Sequence, residues 1–175
     1  MKKILETISD TERFAGEFLR VVLTKNRNVI LLQGELGVGK TAFSQFFLRE
    51  LGAKGPFTSP TFVIMKKYSI NSAINQKKNA NPFPSLGKNT ISSIDKELLN
   101  GRYRNIYHFD CYRVGEEDIL DLGWREIIAD KGNLVLVEWP EKIKNIWPEK
   151  YWLLKFEYGT NKQVRTVNLV SEQEV

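Results

Sequence analysis

Hydrophobic side chains recur along the 175-residue chain at two spacings, which distinguish predicted helices from predicted strands. Phe14, Phe18 and Val21 lie three or four positions apart, which indicates an amphipathic helix that continues to about Leu23. The sequence SDTE at 9–12 has the form of a capping box and is predicted to open this helix. Short apolar runs predict strands at 29–33, 61–68, 105–110 and 134–138.

The rest of the chain continues this alternation of strands and helices. Residues 41–51 and 116–131 have helical spacing, and each stretch is followed by a glycine that is expected to end the helix. Two alternating stretches, 151–158 and 164–170, predict an antiparallel hairpin. The pattern predicts an α/β fold: a three-layer domain with a central mixed sheet and a C-terminal antiparallel hairpin.

A Lys/Asn-rich segment at about 70–104 interrupts the pattern and shows little periodicity. A connection of this length without regular structure is generally a functional or disordered loop. We therefore predict one domain over residues 1–175 that carries a flexible insertion between two strands. Within the insertion, residues 91–99 are compatible with one short helix.

Positive charge is concentrated in the same part of the chain. The formal net charge is +5, but residues 54–105 contain nine Lys and Arg against two Asp and Glu, and the remaining residues contain seventeen against nineteen. A basic segment of this kind can contact nucleic acid, although a solvated loop is the commoner explanation.

Composition predicts a cytoplasmic protein that does not associate with membranes. No apolar run approaches the ~18 residues of a membrane span, and Glu6 and Asp10 interrupt any signal-peptide core. The single cysteine, Cys111, excludes an internal disulfide, suits a reducing compartment and is expected to be buried. The single histidine, His108, is interpreted as a strand residue rather than a catalytic base, and these two ligands are too few for a zinc site.

The sequence GELGVGKT at 34–41 matches the phosphate-binding motif GxxxxGK[ST] at every fixed position. It lies between a predicted strand and a predicted helix, which is the context that this motif requires. The backbone amides of 37–41 and the Lys40 ammonium are expected to contact phosphate oxygens, and the Thr41 hydroxyl to bind magnesium. The motif therefore predicts a nucleoside triphosphate site.

Two carboxylates at predicted strand ends complete the candidate site. Glu138 ends the run at 134–138, and Asp110 ends the run at 105–110. A phosphate-binding loop needs a carboxylate on a neighbouring strand to hold magnesium, and Glu138 is the better candidate. Either carboxylate could orient the attacking water, and the residue pattern does not divide these roles.

Several neighbouring residues have two interpretations each. Ser59 or Thr61 offers a hydroxyl that either senses the γ-phosphate or completes the metal shell, or the segment is a plain turn before a strand. Arg113 is either an arginine finger or a salt-bridge partner of the acidic residues at 116–118. Trp139 is either a core or lid aromatic or a residue that faces a partner.

Four motifs in order resemble the TsaE (YjeE) family, the bacterial ATPases required for threonylcarbamoyladenosine synthesis on tRNA. They are GELGVGKT at 34–41, SPTF at 59–62, HFDCYR at 108–113 and VEWPE at 137–141. The resemblance covers nearly the whole chain apart from the insertion. It implies a P-loop ATPase that acts with the TsaB–TsaD heterodimer and meets tRNA indirectly through that complex. ATP hydrolysis would then reset the complex between turnovers.

The resemblance also implies ATP and Mg²⁺ as ligands and assigns roles to individual residues. The implied catalytic residues are Lys40, Asp110 and Glu138, and the implied metal ligands are Thr41 and Glu138. Trp139 matches the tryptophan beside the family's acidic metal-site residue. The expected nucleotide-binding residues are Glu35, Gly37, Val38, Gly39, Lys40, Thr41 and Ala42, with Lys162 or Arg165 as a basic residue of the late hairpin. Glu35 stands where the family commonly has Asp.

Alternatives from other functional classes remain open. A small-molecule kinase of the P-loop class would need an acceptor pocket and usually an Arg-rich lid. After the predicted helix at 41–51, Lys and Arg are scattered and form no dense cluster of that kind. A nucleotide-dependent interaction module would share every motif. The insertion is longer than the family's connection, and it is either idle or in contact with tRNA or the partner complex.

Overall fold

The computed structural model describes residues 2–60, 62–70, 102–161 and 163–170. In these ranges the strands are Lys2–Leu5 (β1), Val29–Gln33 (β2), Met65–Ser69 (β3), Asn105–Asp110 (β4), Asn133–Glu138 (β5), Trp152–Tyr158 (β6) and Arg165–Val170 (β7). The α-helices are Ile8–Thr24 (α1), Lys40–Glu50 (α2), Glu116–Asp121 (α3) and Trp124–Ala129 (α4), followed by a 3-10 helix at Pro140–Ile146.

The strands form a mixed sheet in the order β1-β7-β6-β2-β5-β4-β3. Strand β2 lies parallel to β5 and β6, and β5 is also parallel to β4. Strands β6 and β7 form the predicted C-terminal antiparallel hairpin, and β1 and β3 are antiparallel edge strands. Because β2, β4 and β5 run in the same direction, their carboxyl ends meet at one edge of the sheet.

Alternation along β2 places its side chains in two separate cores. Ile30 and Leu32 contribute to the core beneath α1 and α2, whereas Val29 and Leu31 contribute to the core beneath α3, α4 and the 3-10 helix. All four residues are at most 1% exposed, so both faces of the sheet are covered. This confirms the predicted three-layer α/β fold.

Aromatic packing fixes α1 and α2 against each other. Phe18 of α1 lies 6.1 Å from Phe43 and 6.0 Å from Phe47 of α2, measured between ring centroids. Phe14 packs 5.6 Å from Phe43 on the same face. The predicted helical spacing therefore identified the buried side of α1, and α2, which follows the glycine-rich loop, rests on it.

The capping box of α1 begins two residues earlier than predicted. Thr7 is the N-cap residue: its Oγ1 accepts a hydrogen bond from the Asp10 amide at 3.2 Å, and the Asp10 carboxylate accepts from the Thr7 amide at 2.9 Å. The prediction that Ser9 and Glu12 form the box is wrong, since both lie inside the helix. The sequence T-x-x-D has the same reciprocal geometry as S-x-x-E, and it competes for the same helix start.

Two other predicted elements have different boundaries. The predicted helix at 116–131 is divided because Gly123 adopts a left-handed conformation with φ of 80°. The predicted strand at 61–68 starts late, since Phe62 and Val63 form an exposed turn and Ile64 has a φ of 63°. Pairing with β4 therefore begins at Met65, and β1 and the 3-10 helix were not predicted.

Most of the predicted insertion, at 71–101, lies outside the described residues, as does the short helix suggested at 91–99. The ends of the segment belong to the fold. Ile70 pairs with Ala53, the Arg102 guanidinium donates to the carbonyl oxygens of Leu23 and Lys25 at the C-terminal end of α1, and Tyr103 is 4% exposed in the core. Among the described residues no helix is long and apolar enough to cross a membrane.

Candidate nucleotide-binding site

The loop at 34–39 connects β2 to α2 and depends on three glycines with positive φ. Gly34, Gly37 and Gly39 have φ values of 148°, 75° and 109°. A Cβ atom at Gly34 would lie 2.4 Å from the Phe156 carbonyl oxygen of β6, so only glycine fits there. The hairpin therefore presses directly against the start of the loop.

Helix α2 begins at Lys40, at the end of this loop. The first amides of an α-helix have no partner within the helix, and they give its N-terminus a partial positive charge. Phosphate groups are stabilised at such a terminus. The loop and the helix together thus form a cradle suited to an anionic ligand.

The Lys40 side chain folds back over the loop and is 4% exposed. Its Nζ donates hydrogen bonds to the carbonyl oxygens of Gly34 at 2.6 Å and Glu35 at 2.9 Å. Burial lowers the pKa of Lys40, while the negative charges of Glu138 and its neighbours oppose this shift. A desolvated ammonium held at this point would be strongly stabilised by a phosphate.

Trp139 covers the Lys40 ammonium, with its ring centroid 3.7 Å from Nζ. The residue has a φ of 60°, an uncommon conformation for a bulky side chain, and it directly follows Glu138 at the end of β5. The Tyr112 ring lies 4.9 Å from the Trp139 ring on the open side. Strained residues of this kind cluster at functional sites, and this one sets the position of an aromatic wall of the cleft.

Glu138 is 1% exposed and is held by three side chains. Its Oε2 accepts a hydrogen bond from Thr41 Oγ1 at 2.7 Å, and its Oε1 lies 3.1 Å from Ser44 Oγ and 2.8 Å from His108 Nε2. Burial raises the pKa of Glu138, but the His108 contact and the two hydroxyl donors outweigh burial and hold this pKa below its ordinary value. The carboxylate is therefore ionised at neutral pH.

Asp110 lies beside Glu138, because β4 and β5 pair these two residues in register. It is 5% exposed, and its Oδ1 accepts from the Tyr112 amide at 3.0 Å. Its backbone amide donates to the Ile64 carbonyl at 2.9 Å, and Ser59 Oγ lies 3.5 Å from Oδ2. The segment before β3 thereby contacts both the backbone and the carboxylate of Asp110.

These groups surround a cleft of about 450 Å³. Of the predicted site residues, those that line it are Gly37, Gly39, Lys40, Thr41, Ala42, Asp110 and Glu138. Arg113 also lines the cleft, and its guanidinium lies 5.5 Å from the centre of the Phe62 ring. The sequence left open whether Arg113 lies at the cleft, and the structure shows that it does.

The donor chemistry of this cleft fits magnesium carried by a phosphate ligand. Among the described residues, no group of three or more His, Cys, Asp or Glu side chains could hold a metal by itself. Magnesium usually keeps several waters and binds through one or two carboxylates together with phosphate oxygens. The Thr41 hydroxyl and the ionised Glu138 carboxylate match that requirement.

Comparison with known proteins identifies the family. A family model described as "Threonylcarbamoyl adenosine biosynthesis protein TsaE" matches residues 5–77 and 91–167. The chain belongs to the TsaE family. These matches include all four motifs, GELGVGKT, SPTF, HFDCYR and VEWPE.

Relatives from several bacteria are called tRNA threonylcarbamoyladenosine biosynthesis protein TsaE. The chain is 32% identical to that of Rickettsia bellii over 151 residues, covering 83% of this chain and 78% of the relative. It is 30% identical to that of Bacillus subtilis over 144 residues, covering 82% and 70%. The crystal structure of Bacillus subtilis YdiB superimposes with a TM-score of 0.62 at 22% identity, covering 97% of this chain and 83% of YdiB, and supports the same fold.

Some of the residues expected from the TsaE resemblance contribute no side chain to the cleft. Glu35 is exposed and provides its carbonyl oxygen to Lys40, and Val38 is 1% exposed in the core beneath the loop. Contacts of these two residues with a nucleotide would therefore come from the backbone. Lys162 and Thr61 lie outside the described residues, and Arg165 stacks 4.6 Å from the Tyr158 ring.

Three side chains at this TsaE site were not expected from the sequence. Ser44 lies one helical turn beyond Thr41, and His108 lies two strand positions before Asp110 on the same face of the sheet. Tyr158 of β6 donates its hydroxyl to the Leu36 carbonyl at 2.9 Å. The helical and strand periods carried a signal for Ser44 and His108, whereas the Tyr158 contact depends on tertiary structure.

Proposed function

We propose that this TsaE-family protein binds ATP with Mg²⁺ in the cleft and hydrolyses the nucleotide. The observation that carries the proposal is the 2.7 Å hydrogen bond from Thr41 Oγ1 to Glu138 Oε2 at the start of α2. In this bond the hydroxyl proton of Thr41 points to the carboxylate, so the oxygen lone pairs remain available to a cation. P-loop hydrolases use the same combination of loop hydroxyl and strand carboxylate for magnesium.

The residues of the cleft then have separate roles in the transfer of the γ-phosphate to water. The amides of 37–41 and the Lys40 ammonium stabilise negative charge on the β- and γ-phosphates. Magnesium, held by Thr41 and Glu138, would neutralise further phosphate charge when it is bound. With Glu138 assigned to the metal, we assign the orientation of the attacking water to Asp110, which lines the cleft beside it.

We further propose a role in the threonylcarbamoyladenosine modification of tRNA, with the TsaB–TsaD heterodimer as protein partner. Hydrolysis would reset that complex between turnovers, and this protein would act on tRNA only indirectly, through the complex. Membership of the TsaE family supports this role. The rim of the cleft also exposes large apolar side chains, with Leu36 at 68%, Phe62 at 86% and Tyr112 at 40%, and exposed aromatic groups are enriched at protein interfaces.

Phosphate release with and without purified TsaB–TsaD and tRNA tests the proposal. We expect slow hydrolysis by the isolated chain and faster hydrolysis with the heterodimer. Lys40→Ala should lower the rate about 100- to 1,000-fold, since one pre-organised donor to developing charge contributes that much. Lys142→Ala, an exposed lysine on the 3-10 helix, serves as the matched control.

Absence of nucleotide binding and of stimulation would contradict the proposal. Transfer of the γ-phosphate to a small acceptor instead of water would favour a P-loop kinase. A screen of phosphate acceptors with labelled ATP distinguishes these outcomes.

A further inference from the structure

The second buried contact of Glu138 is with His108 of the neighbouring strand β4. Each residue is 1% exposed, and His108 Nε2 lies 2.8 Å from Glu138 Oε1. The register pairs His108 with Leu136 and Asp110 with Glu138, so the contact runs diagonally between adjacent pairs on the α2 face of the sheet. It is therefore built into the pairing of two central strands.

The contact determines which oxygen of Glu138 faces the cleft. Oε1 is occupied by His108 and by Ser44 Oγ, and Oε2 is left to Thr41. A carboxylate can rotate about its terminal bond, and that torsion has a broad energy minimum. Donors from β4 and α2 remove this freedom and hold the Oε2 edge against the Thr41 hydroxyl.

Packing alone does not explain a histidine at this position. Its other ring nitrogen, Nδ1, is buried and has no hydrogen-bond partner among the described residues. A buried polar group that remains unsatisfied destabilises the fold, a cost that an apolar side chain would avoid. Among the described residues, the side-chain contact with Glu138 is the interaction that compensates. Because an ionised carboxylate can only accept a hydrogen bond, Nε2 must carry the hydrogen in this contact.

We propose that His108 is a positioning residue that fixes the Glu138 carboxylate so that Oε2 and the Thr41 hydroxyl together face the nucleotide-bound magnesium. This inference rests on the proposed function. In this role His108 donates a hydrogen bond to Glu138 and does not transfer a proton. Its specific consequence is that His108 supports the contribution of magnesium to nucleotide affinity.

Two substitutions that differ by one methylene test the inference. His108→Gln can place an amide NH₂ near the position of Nε2, whereas the amide of His108→Asn is too short to reach Glu138. Affinity for a fluorescent, non-hydrolysable ATP analogue is measured on the full chain, once with excess Mg²⁺ and once with EDTA. The ratio of the two affinities is the magnesium gain.

We expect the magnesium gain of His108→Asn to be about 10- to 100-fold smaller than that of the wild type, the range found when a group that orients a metal ligand is removed. His108→Gln should stay close to the wild type, and the affinities in EDTA should be equal in all three proteins. Thermal unfolding of each protein, recorded without nucleotide, separates loss of the gain from loss of the fold.

Three results would overturn the inference: an undiminished magnesium gain in His108→Asn, equal losses in both variants, or equal losses with Mg²⁺ and with EDTA. A wild-type protein that binds nucleotide without any magnesium gain would also overturn it, while leaving nucleotide binding intact. A wild type that binds no nucleotide in either buffer would instead reject the proposed function.

Discussion

At the level of single residues, the candidate site depends on a small number of buried polar groups that satisfy one another. Lys40 is hydrogen-bonded to loop carbonyls, and Glu138 is hydrogen-bonded to a hydroxyl from α2. Both charges are buried, so each depends on its partners more than a surface charge would. The same desolvation makes each group effective toward a bound phosphate or cation.

Substitution of Glu138 should separate nucleotide binding from hydrolysis. Glu138→Ala removes the carboxylate that would share the metal with Thr41, whereas the loop amides and Lys40 remain. We expect most of the affinity for nucleotide in EDTA to persist and hydrolysis to fall to the level of Lys40→Ala. Phosphate release and equilibrium binding measured on the same preparation check this.

Glu149→Ala is the matched control, because Glu149 is exposed after the 3-10 helix and does not line the cleft among the described residues. Full hydrolytic activity in Glu138→Ala would contradict the assignment and would make Asp110 the dominant carboxylate.

At the level of elements, α1 and the C-terminal hairpin both support the site. Helix α1 supports α2 through the aromatic cluster of Phe14, Phe18, Phe43 and Phe47. The hairpin contacts the loop through the Phe156 carbonyl and the Tyr158 hydroxyl. Changes in either element should therefore reach the loop without altering a residue that contacts the nucleotide.

The start of α1 gives a stability prediction. Thr7→Ala should lower the free energy of unfolding by about 1 kcal/mol, the usual contribution of a Thr N-cap. Ser9→Ala should change it little, since Ser9 lies inside the helix, where alanine has the better propensity. Urea unfolding of both variants checks this, and a larger loss in Ser9→Ala would place the cap at the residue originally predicted.

The hairpin gives a binding prediction. Tyr158→Phe removes the hydrogen bond to the Leu36 carbonyl and should weaken nucleotide affinity by about 2- to 12-fold, equivalent to about 0.5–1.5 kcal/mol for one hydrogen bond. The rate at saturating ATP should stay near the wild type. Tyr151→Phe is the control, because Tyr151 precedes β6 at the opposite end of the sheet. An unchanged affinity in Tyr158→Phe would show that the hairpin does not hold the loop.

Local sequence was a good guide to the parallel core of the sheet and to the glycine-rich loop between β2 and α2, because apolar runs and glycine spacing act over a few residues. It was a poor guide where tertiary contacts choose between local alternatives. Thr7 and Ser9 could each cap α1. The β-branched run ending at Ile64 predicts a strand, but the backbone turns before Met65, and the Ile64 carbonyl accepts a hydrogen bond from the Asp110 amide. The His108 contact depended on strand register, which the sequence does not specify.

At the level of the whole molecule, the mixed sheet brings distant parts of the chain to one edge. The loop after β2, Asp110 at the end of β4 and Glu138 at the end of β5 meet because these strands are parallel neighbours. The antiparallel strands β7 and β1 extend the sheet beyond β6 on one side, and β3 extends it beyond β4 on the other. On the proposed function, the exposed apolar side chains at the rim of the cleft would let a partner protein sense whether nucleotide is bound.

Multiple-turnover synthesis of threonylcarbamoyladenosine tests the central claim most directly. The assay contains TsaB–TsaD, tRNA, the activated threonylcarbamoyl donor, ATP and either the wild-type chain or Lys40→Ala, and modified tRNA is counted per complex over time. If hydrolysis in this cleft resets the complex, the wild type will continue through many rounds and Lys40→Ala will stop after about one. Sustained turnover at the wild-type rate with Lys40→Ala would contradict the account.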